Sequence, residues 1–185
     1  MKKTIILFIL LGLVLSCGKE SKLSQKFNCT STKFENTKSI LDFNKNFKLN
    51  IPTSWNTKLY FSEFESEIFT ADTLKQLTES FILATSFNLG EIVFNKEYYV
   101  RNDSILNRNN LELIKDGNDS FQSKQAYWFV AKGIKNGFTF HQFTISSKIT
   151  KNSYFNASAE IYGDENVEER ICEVISILDK VQFLQ

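Results

Sequence analysis

The chain has 185 residues, of which 42% are hydrophobic and 14% aromatic, and this is sufficient for a single domain with a sizeable core. One proline and seven glycines exclude a low-complexity chain. The formal net charge of +1 gives no reason to expect binding to nucleic acid.

Residues 2–17 have the layout of a cleaved export signal. Two lysines precede the apolar run 4–15, and small Ser16 and then Cys17 close it. As a helix, residues 4–16 would reach roughly 20 Å, against about 30 Å for the hydrocarbon core of a bilayer. The segment is therefore predicted to be removed. An uncleaved membrane anchor and ordinary secretion with a free Cys17 are the alternatives.

The sequence Val14-Leu15-Ser16-Cys17 resembles a bacterial lipobox. In proteins with this motif the cysteine thiol takes a diacylglyceryl group, the signal is cut before it, and the new amine is usually acylated, as with palmitate. The resemblance implies a lipid-anchored protein of the cell envelope. Two or three acyl chains hold a protein on a membrane without release, since each buried methylene contributes about 0.8 kcal/mol. Gly18-Lys19-Glu20 follow Cys17 with no aspartate beside it, which implies the outer membrane by the enterobacterial sorting rule.

Loss of residues 1–16 removes Lys2 and Lys3 and lowers the formal net charge from +1 to −1. Residues 17–42 are then predicted to be a lipidated cysteine and a polar tether, because the stretch is polar and has no sustained period. A globular domain is predicted over 43–185. Its first strand is expected where apolar and polar residues alternate up to Ile51, and Pro52 ends it.

The middle of the chain is predicted to alternate strands with helical segments. The predicted elements are strands at 57–62 and 66–71, a helical turn opened by Asp72 or Thr73, a strand at 81–87, a helix at 94–107, a strand at 111–115 and a turn at 116–119. Tyr98 and Tyr99 fall in the predicted helix. Because adjacent residues on a helix point in different directions, we expect one of these tyrosines to be free to contact a partner.

The last third of the chain carries the strongest periodic signals. Apolar runs at 126–132 and 138–149 flank a short segment with a glycine at each end, which predicts a hairpin. A strand is predicted at 153–162. A terminal helix is predicted to follow Asp164 as its cap, with acidic residues in the first turn and an apolar stripe along one side.

Both long hairpin strands are apolar on their two alternating faces, so each face of the sheet needs a cover. The predicted fold class is therefore α/β (α+β), a mostly antiparallel sheet covered by helices on both faces. A strand ending at Ile51-Pro52 with Trp55 soon after, a middle helix, the run Ala126-Tyr127-Trp128 leading into a long hairpin, and a terminal helix resemble the PsbP-like fold. That group includes PsbP and bacterial DcrB-like lipoproteins, and the resemblance implies binding or assembly roles.

With Cys17 lipidated, Cys29 and Cys172 remain as a pair in an oxidising compartment. A disulfide between them would tie the start of the mature chain to its last helix. The alternative is a buried free thiol at Cys172 and an exposed one at Cys29. Two cysteines and one distant histidine do not have the clustered spacing of a zinc site.

His141 is the only histidine, so any histidine base or ligand would have to be this residue. The chain has no nucleophile elbow, no phosphate-binding glycine loop and no zinc-protease helix motif. We therefore predict no catalytic residue, no metal site, no cofactor and no enzymatic activity. The tripeptides containing Thr73 and Ser104 resemble O-glycosylation sites of exported proteins.

The predicted function is that of a non-enzymatic accessory or assembly factor that binds another envelope protein. A carrier of a small ligand or lipid is the alternative, and an enzyme comes third. Each of these three classes of protein predicts a different structural feature. A binder should expose an aromatic patch, a carrier should contain a deep apolar pocket, and an enzyme should have converging polar groups with perturbed pKa values.

Overall fold

The computed structural model describes residues 21–30, 32 and 34–184. The predicted export signal and Cys17 lie outside the described residues. Within the described ranges, no helix has the length and apolar character needed to cross a bilayer.

The described chain forms two antiparallel sheets and three α-helices. In chain order the elements are α1 (Lys22–Lys26), β1 (Thr37–Leu41), β2 (Phe47–Pro52), β3 (Asn56–Phe61), β4 (Glu65–Ala71), β5 (Ile82–Leu89), α2 (Lys96–Arg108), β6 (Leu111–Phe121), β7 (Lys124–Lys135), β8 (Phe138–Thr150), β9 (Ser153–Tyr162), α3 (Val167–Leu178) and β10 (Gln182–Phe183). The large sheet has the strand order β3-β4-β5-β9-β8-β7-β6, and the small sheet has the order β1-β2-β10. The mixed fold with antiparallel sheets is confirmed.

Two hydrophobic cores lie on opposite faces of the large sheet. The first face packs against α3, α1 and the small sheet, with Phe47 and Val174 among the fully buried residues. The second face packs against α2 around Tyr98, Tyr127 and Phe129. Helical cover on both faces, as predicted, is not established, because only one longer helix lies on each face and polar side chains occupy the second face beyond α2.

The predicted hairpin is confirmed as β7 and β8, which pair along most of their length. Asn136 and Gly137 form its turn with φ angles of 54° and 82°. Positive φ at both central residues gives a turn whose twist matches that of the flanking strands, and Asn-Gly adopts it at low cost.

The predicted turn at 116–119 is wrong, because β6 continues through these residues in pairing with β7. The chain reverses at Gln122 and Ser123, whose φ angles are 49° and 64°. Gly117 meets a packing requirement instead. A Cβ atom there would lie 2.9 Å from Cζ2 of Trp128, so the glycine lets the indole ring lie against the neighbouring strand.

Two predicted helix starts also differ from the structure. The segment after β4 forms no helix, and Asp72 Oδ1 instead accepts a hydrogen bond from the Leu74 backbone N–H at 3.1 Å. Asp164 does not cap α3, because the helix begins after Asn166 and Asp164 accepts from Lys132 Nζ at 2.8 Å.

The N-terminal arm, residues 21–30, is packed onto the domain rather than forming the predicted polar tether. Leu23 is only 3% exposed and belongs to the core of the first face. Further along, β1 pairs with β2 at the edge of the small sheet. The prediction of a tether is wrong for these residues, because a few apolar side chains find long-range partners that no local period reveals.

Candidate functional site

The two predicted partner-binding tyrosines both contact the sheet. Their ring centroids lie 5.7 Å (Tyr98) and 5.1 Å (Tyr99) from that of Tyr127. The Tyr98 hydroxyl donates to Ser146 Oγ at 3.2 Å, and the Tyr99 hydroxyl donates to Asn118 Oδ1 at 2.8 Å. Both hydroxyls already have hydrogen-bond acceptors within the domain. Contact of either tyrosine with a partner protein stays a prediction.

Tyr127 is the centre of this aromatic group. Burial, together with the hydrogen bond that its hydroxyl donates to Asp116 Oδ2 at 2.9 Å, raises the pKa of Tyr127 well above its ordinary value. The phenol therefore stays protonated at neutral pH and acts as a structural donor.

A polar groove lies on the second face beside α2. Its volume is about 430 Å³. Its floor includes directly opposed residues on three neighbouring strands: Ser86, Asn156 and Ser146. Ser146 Oγ donates to Asn156 Oδ1 at 2.8 Å while accepting from Tyr98, so these members of the floor form a hydrogen-bonded chain.

Charged side chains surround the polar groove. Glu91 Oε1 lies 3.7 Å from Lys148 Nζ, and the Arg101 guanidinium lies 5.7 Å from the Tyr98 ring centroid. Glu65 lines the groove. Burial, and then the charge of Glu65, raise the pKa of the Glu67 carboxyl, which lies on β4 opposite Ser86. A groove lined in this way suits a polar ligand and not an acyl chain.

His141 lies on the other face of β8, near the end of the hairpin. Its Nε2 is 3.8 Å from Asp164 Oδ1, and burial lowers the pKa of its imidazole, with the charge of Lys132 acting in the same direction. The neutral ring thus sits among groups that already pair with each other, and this is the environment of a structural histidine. No cluster of potential ligand side chains able to hold a metal ion occurs in the part of the chain that the structure describes.

An exposed aromatic surface lies beside β3, the edge strand of the large sheet that is farthest from β6. We call Phe43, Phe61 and Phe64 the phenylalanine cluster. Their side chains are 52%, 59% and 62% exposed. The rings of Phe43 and Phe61 are stacked, with centroids 3.7 Å apart and planes 4° from parallel.

The phenylalanine cluster borders β3, which is an edge strand of the large sheet. The exposed side chains of Leu59 and Tyr60 extend the apolar character along this edge. Sequence reasoning missed this surface. A signal was present, because Leu59-Tyr60-Phe61 places large apolar residues on both faces of a short strand, and all three side chains are exposed.

Three hydrogen bonds brace the loop that carries Phe43. Asp42 Oδ1 accepts from the Phe47 backbone N–H at 2.8 Å, and its Oδ2 accepts from Asn46 Nδ2 at 3.1 Å. The Asn44 backbone N–H donates to Ser66 Oγ at 3.2 Å, which joins the loop to β4. Phe43 is therefore presented from a rigid support.

At the β6 edge of the large sheet, the N-terminal arm is joined to α3. Cys29 and Cys172 form a disulfide in the structure, with their Cα atoms 5.3 Å apart. The Phe27 ring lies edge-on to Trp128 with centroids 5.0 Å apart, and Ser24 Oγ donates to Asp179 Oδ2 at 3.0 Å. These contacts fix the arm beside β6.

Comparison with solved structures shows what the fold resembles. The chain is similar to cyanobacterial PsbP (CyanoP) from Synechocystis sp. PCC 6803, with a TM-score of 0.61 and 8% identity over 84% of this chain and 96% of that chain. It is similar to LpqN, involved in cell envelope biogenesis of Mycobacterium tuberculosis, with a TM-score of 0.50 and 11% identity over 80% of this chain and 90% of that chain.

A protein from Bacteroides thetaiotaomicron VPI-5482 has a TM-score of 0.50 and 12% identity, over 82% of this chain and 50% of that chain. At these identities the likenesses show the fold alone, and they confirm the predicted PsbP-like fold. No family model and no curated protein matches the sequence.

Proposed function

We propose that this protein is a non-enzymatic accessory or assembly factor, anchored by lipid on Cys17 in the cell envelope, which binds another protein through its phenylalanine cluster. The observation that carries the proposal is the stacked and exposed pair Phe43 and Phe61. Contiguous exposed aromatic surface on a soluble domain marks a site of interaction.

Preorganisation favours binding through the phenylalanine cluster. Burying an exposed phenylalanine ring removes a large apolar area from water, at roughly 25 cal/mol per Å². A ring that is already stacked and supported by a rigid loop loses little conformational freedom when a partner covers it. The cost of exposing these rings in the free protein is consistent with a surface retained for binding.

The anchor rests on the lipobox resemblance, and two further features support it. A disulfide between Cys29 and Cys172 fits an oxidising compartment outside the cytoplasm. Similarity in fold to LpqN, a protein involved in cell envelope biogenesis, fits the same location. The residues Gly18-Lys19-Glu20 after Cys17 favour the outer membrane by the sorting rule, since none of them is aspartate.

The carrier alternative has weaker support. A second cavity, of about 280 Å³, is lined by Lys135, Gln142 and Glu160 together with a few apolar side chains. Both this cavity and the polar groove present charges and amides, which disfavour the acyl chain of a lipid. If the protein is a carrier, the geometry favours a small polar ligand bound in the polar groove.

Site-specific photo-cross-linking in intact cells tests the proposal. A photoreactive side chain would replace Phe61 in one variant and Ile134 in a matched control, since Ile134 is an exposed apolar residue elsewhere on the domain. We expect one dominant adduct of defined mass from position 61 and a weak or different pattern from position 134. The same adducts from both positions, or none from position 61, would contradict binding through the phenylalanine cluster.

A further inference from the structure

The folded domain begins very close to the proposed anchor. Ser21 caps α1 by accepting from the Ser24 backbone N–H at 3.0 Å, and Ser21 is only four residues after Cys17. Four residues of fully extended chain span at most about 14 Å. If Cys17 carries lipid, as the proposed function requires, α1 must therefore lie near the membrane surface.

The N-terminal arm has little freedom to leave the domain. Besides the disulfide, Lys115 Nζ of β6 donates to the Lys26 carbonyl oxygen at 3.2 Å and lies 4.5 Å from the centroid of the Phe27 ring. Lys22 Nζ lies 3.7 Å from Asp119 Oδ1, also on β6. The edge of the large sheet at β6 is thus brought to the membrane together with α1.

The charges at this edge suit an anionic lipid surface. Lys22, Lys26 and Lys115 are exposed on or beside α1, and Lys124 is exposed where β6 turns into β7. The acidic residues of β6 already have basic or hydrogen-bonding neighbours: Asp119 pairs with Lys22, Asp116 accepts from the Tyr127 hydroxyl, and Glu112 lies opposite Lys132. Among the described residues, Lys26, Lys115 and Lys124 are then the cationic groups left at this edge. Exposed lysines close to a bilayer are attracted to anionic headgroups, and added salt screens this attraction.

The phenylalanine cluster lies at the other edge of the same sheet. Pairing registers connect Asp119 to Phe61 through one directly opposed residue on each intervening strand. Six inter-strand steps of about 4.8 Å correspond to about 29 Å along the sheet. This exceeds the reach of the chain between Cys17 and Ser21.

We infer that the α1–β6 edge faces the headgroups of anionic phospholipids, so that the sheet stands on the membrane with β3 outermost and the phenylalanine cluster turned toward the aqueous space. The α1–β6 edge is then the membrane-contact surface, and the partner approaches from the side of β3. A domain lying flat on its first face would bring Glu168 and Glu169 of α3 against those headgroups. Repulsion between these two carboxylates and the anionic headgroups disfavours that arrangement.

Depth-dependent quenching tests this orientation. Full-length lipidated protein would carry one fluorophore, at Lys26→Cys or at Phe64→Cys, in phosphatidylcholine vesicles with or without phosphatidylglycerol. A spin label on the lipid headgroups would be the quencher. We expect at least fivefold stronger quenching at position 26 than at position 64. Phosphatidylglycerol should increase the quenching at position 26, and added salt should reverse that increase.

Equal quenching at the two positions, or stronger quenching at position 64, would overturn the orientation. A quenching difference that does not depend on phosphatidylglycerol would overturn the role of the lysines. The mass of the amino-terminal peptide reports acylation separately. An unmodified Cys17 would overturn the proposed anchor and this inference together, whereas an acylated Cys17 with the wrong quenching pattern would overturn the orientation alone.

Discussion

Arg170 joins three segments of backbone in the interior of the domain. Its side chain is only 3% exposed. Nη1 donates to the carbonyl oxygens of Ser80 at 3.0 Å and Tyr162 at 2.8 Å, and Nη2 donates to that of Glu165 at 2.6 Å. Burial lowers the pKa of this guanidinium. It thereby holds the entry to β5, the end of β9 and the start of α3.

Replacing Arg170 should destabilise the domain severely. Arg170→Met keeps much of the apolar volume but leaves three carbonyl oxygens without their donor, and each buried unsatisfied group costs about 1–3 kcal/mol. We expect the free energy of unfolding, measured in urea, to fall by about 3 kcal/mol or more. Arg108→Met, at an exposed residue near the end of α2, is the control, with an expected change within about 0.5 kcal/mol. Equal stability of the two variants would contradict this role.

Asp179 should make stability depend on pH. Burial raises its pKa above the ordinary value, although the hydrogen bonds from Ser21 and Ser24 partly oppose the effect. The folded state then holds the proton more tightly, so the contribution is present below about pH 4 and is lost as pH rises through the folded pKa. Asp179→Asn should be at least as stable as wild type at pH 7, with a shallower fall in stability above pH 4.

Asp164 provides a control of opposite sign. The hydrogen bond with Lys132 holds its pKa below the ordinary value, so its contribution to stability is present at neutral pH and is lost on acidification. Asp164→Asn should therefore lose stability at pH 7 but not at pH 3. Urea unfolding at both pH values measures both variants, and parallel pH profiles for the two would refute this assignment of signs.

Among the elements, the N-terminal arm depends most on its cross-link. The disulfide closes a loop with a sequence separation of 143 residues. Cys29→Ala with Cys172→Ala should lower the free energy of unfolding by about 2–4 kcal/mol, because the unfolded chain regains its freedom. A reductant should destabilise wild type by a similar amount and leave the double variant unchanged. Free thiols at both positions under non-reducing mass spectrometry would contradict the bond.

Elements with a strong local period could be predicted from the sequence. β9 begins and ends as predicted, and α3 was located by its apolar stripe even though Asp164 is not its cap. β6 shows where local signals are overridden. Asp116-Gly117-Asn118-Asp119 has the composition of a turn, but pairing with β7 and the close approach of Trp128 keep it extended.

The candidate site was harder to predict for the same reason. Phe43 stacks on Phe61 because the loop after β1 is tied to β4. That contact joins parts of the sequence that lie far apart, and no local pattern reports it. The sequence predicts that a binder exposes an aromatic patch, but it does not predict where that patch lies.

At the scale of the whole molecule, the proposed lipid anchor lies near the β6 edge of the large sheet and the proposed interaction surface lies beside β3. Exchange of residues 1–17 for an export signal that is cleaved without lipidation should move the protein from the membrane fraction to the soluble fraction. It should not change the urea midpoint of the domain, because the core residues among those described begin at Leu23. Fractionation together with urea unfolding checks both outcomes. Continued membrane attachment of this variant would contradict anchoring through Cys17.

The central claim is that the phenylalanine cluster binds a protein partner. The most direct test is quantitative mass spectrometry of proteins that co-purify after cross-linking of intact cells. It would compare wild type, the double variant Phe43→Ser with Phe61→Ser, and the surface control Ile134→Ser. Because aromatic anchors at interfaces contribute about 2 kcal/mol or more each, we predict at least about tenfold less of one dominant envelope protein with the double variant. We predict no loss with Ile134→Ser, and equal recovery with all three proteins would contradict the account.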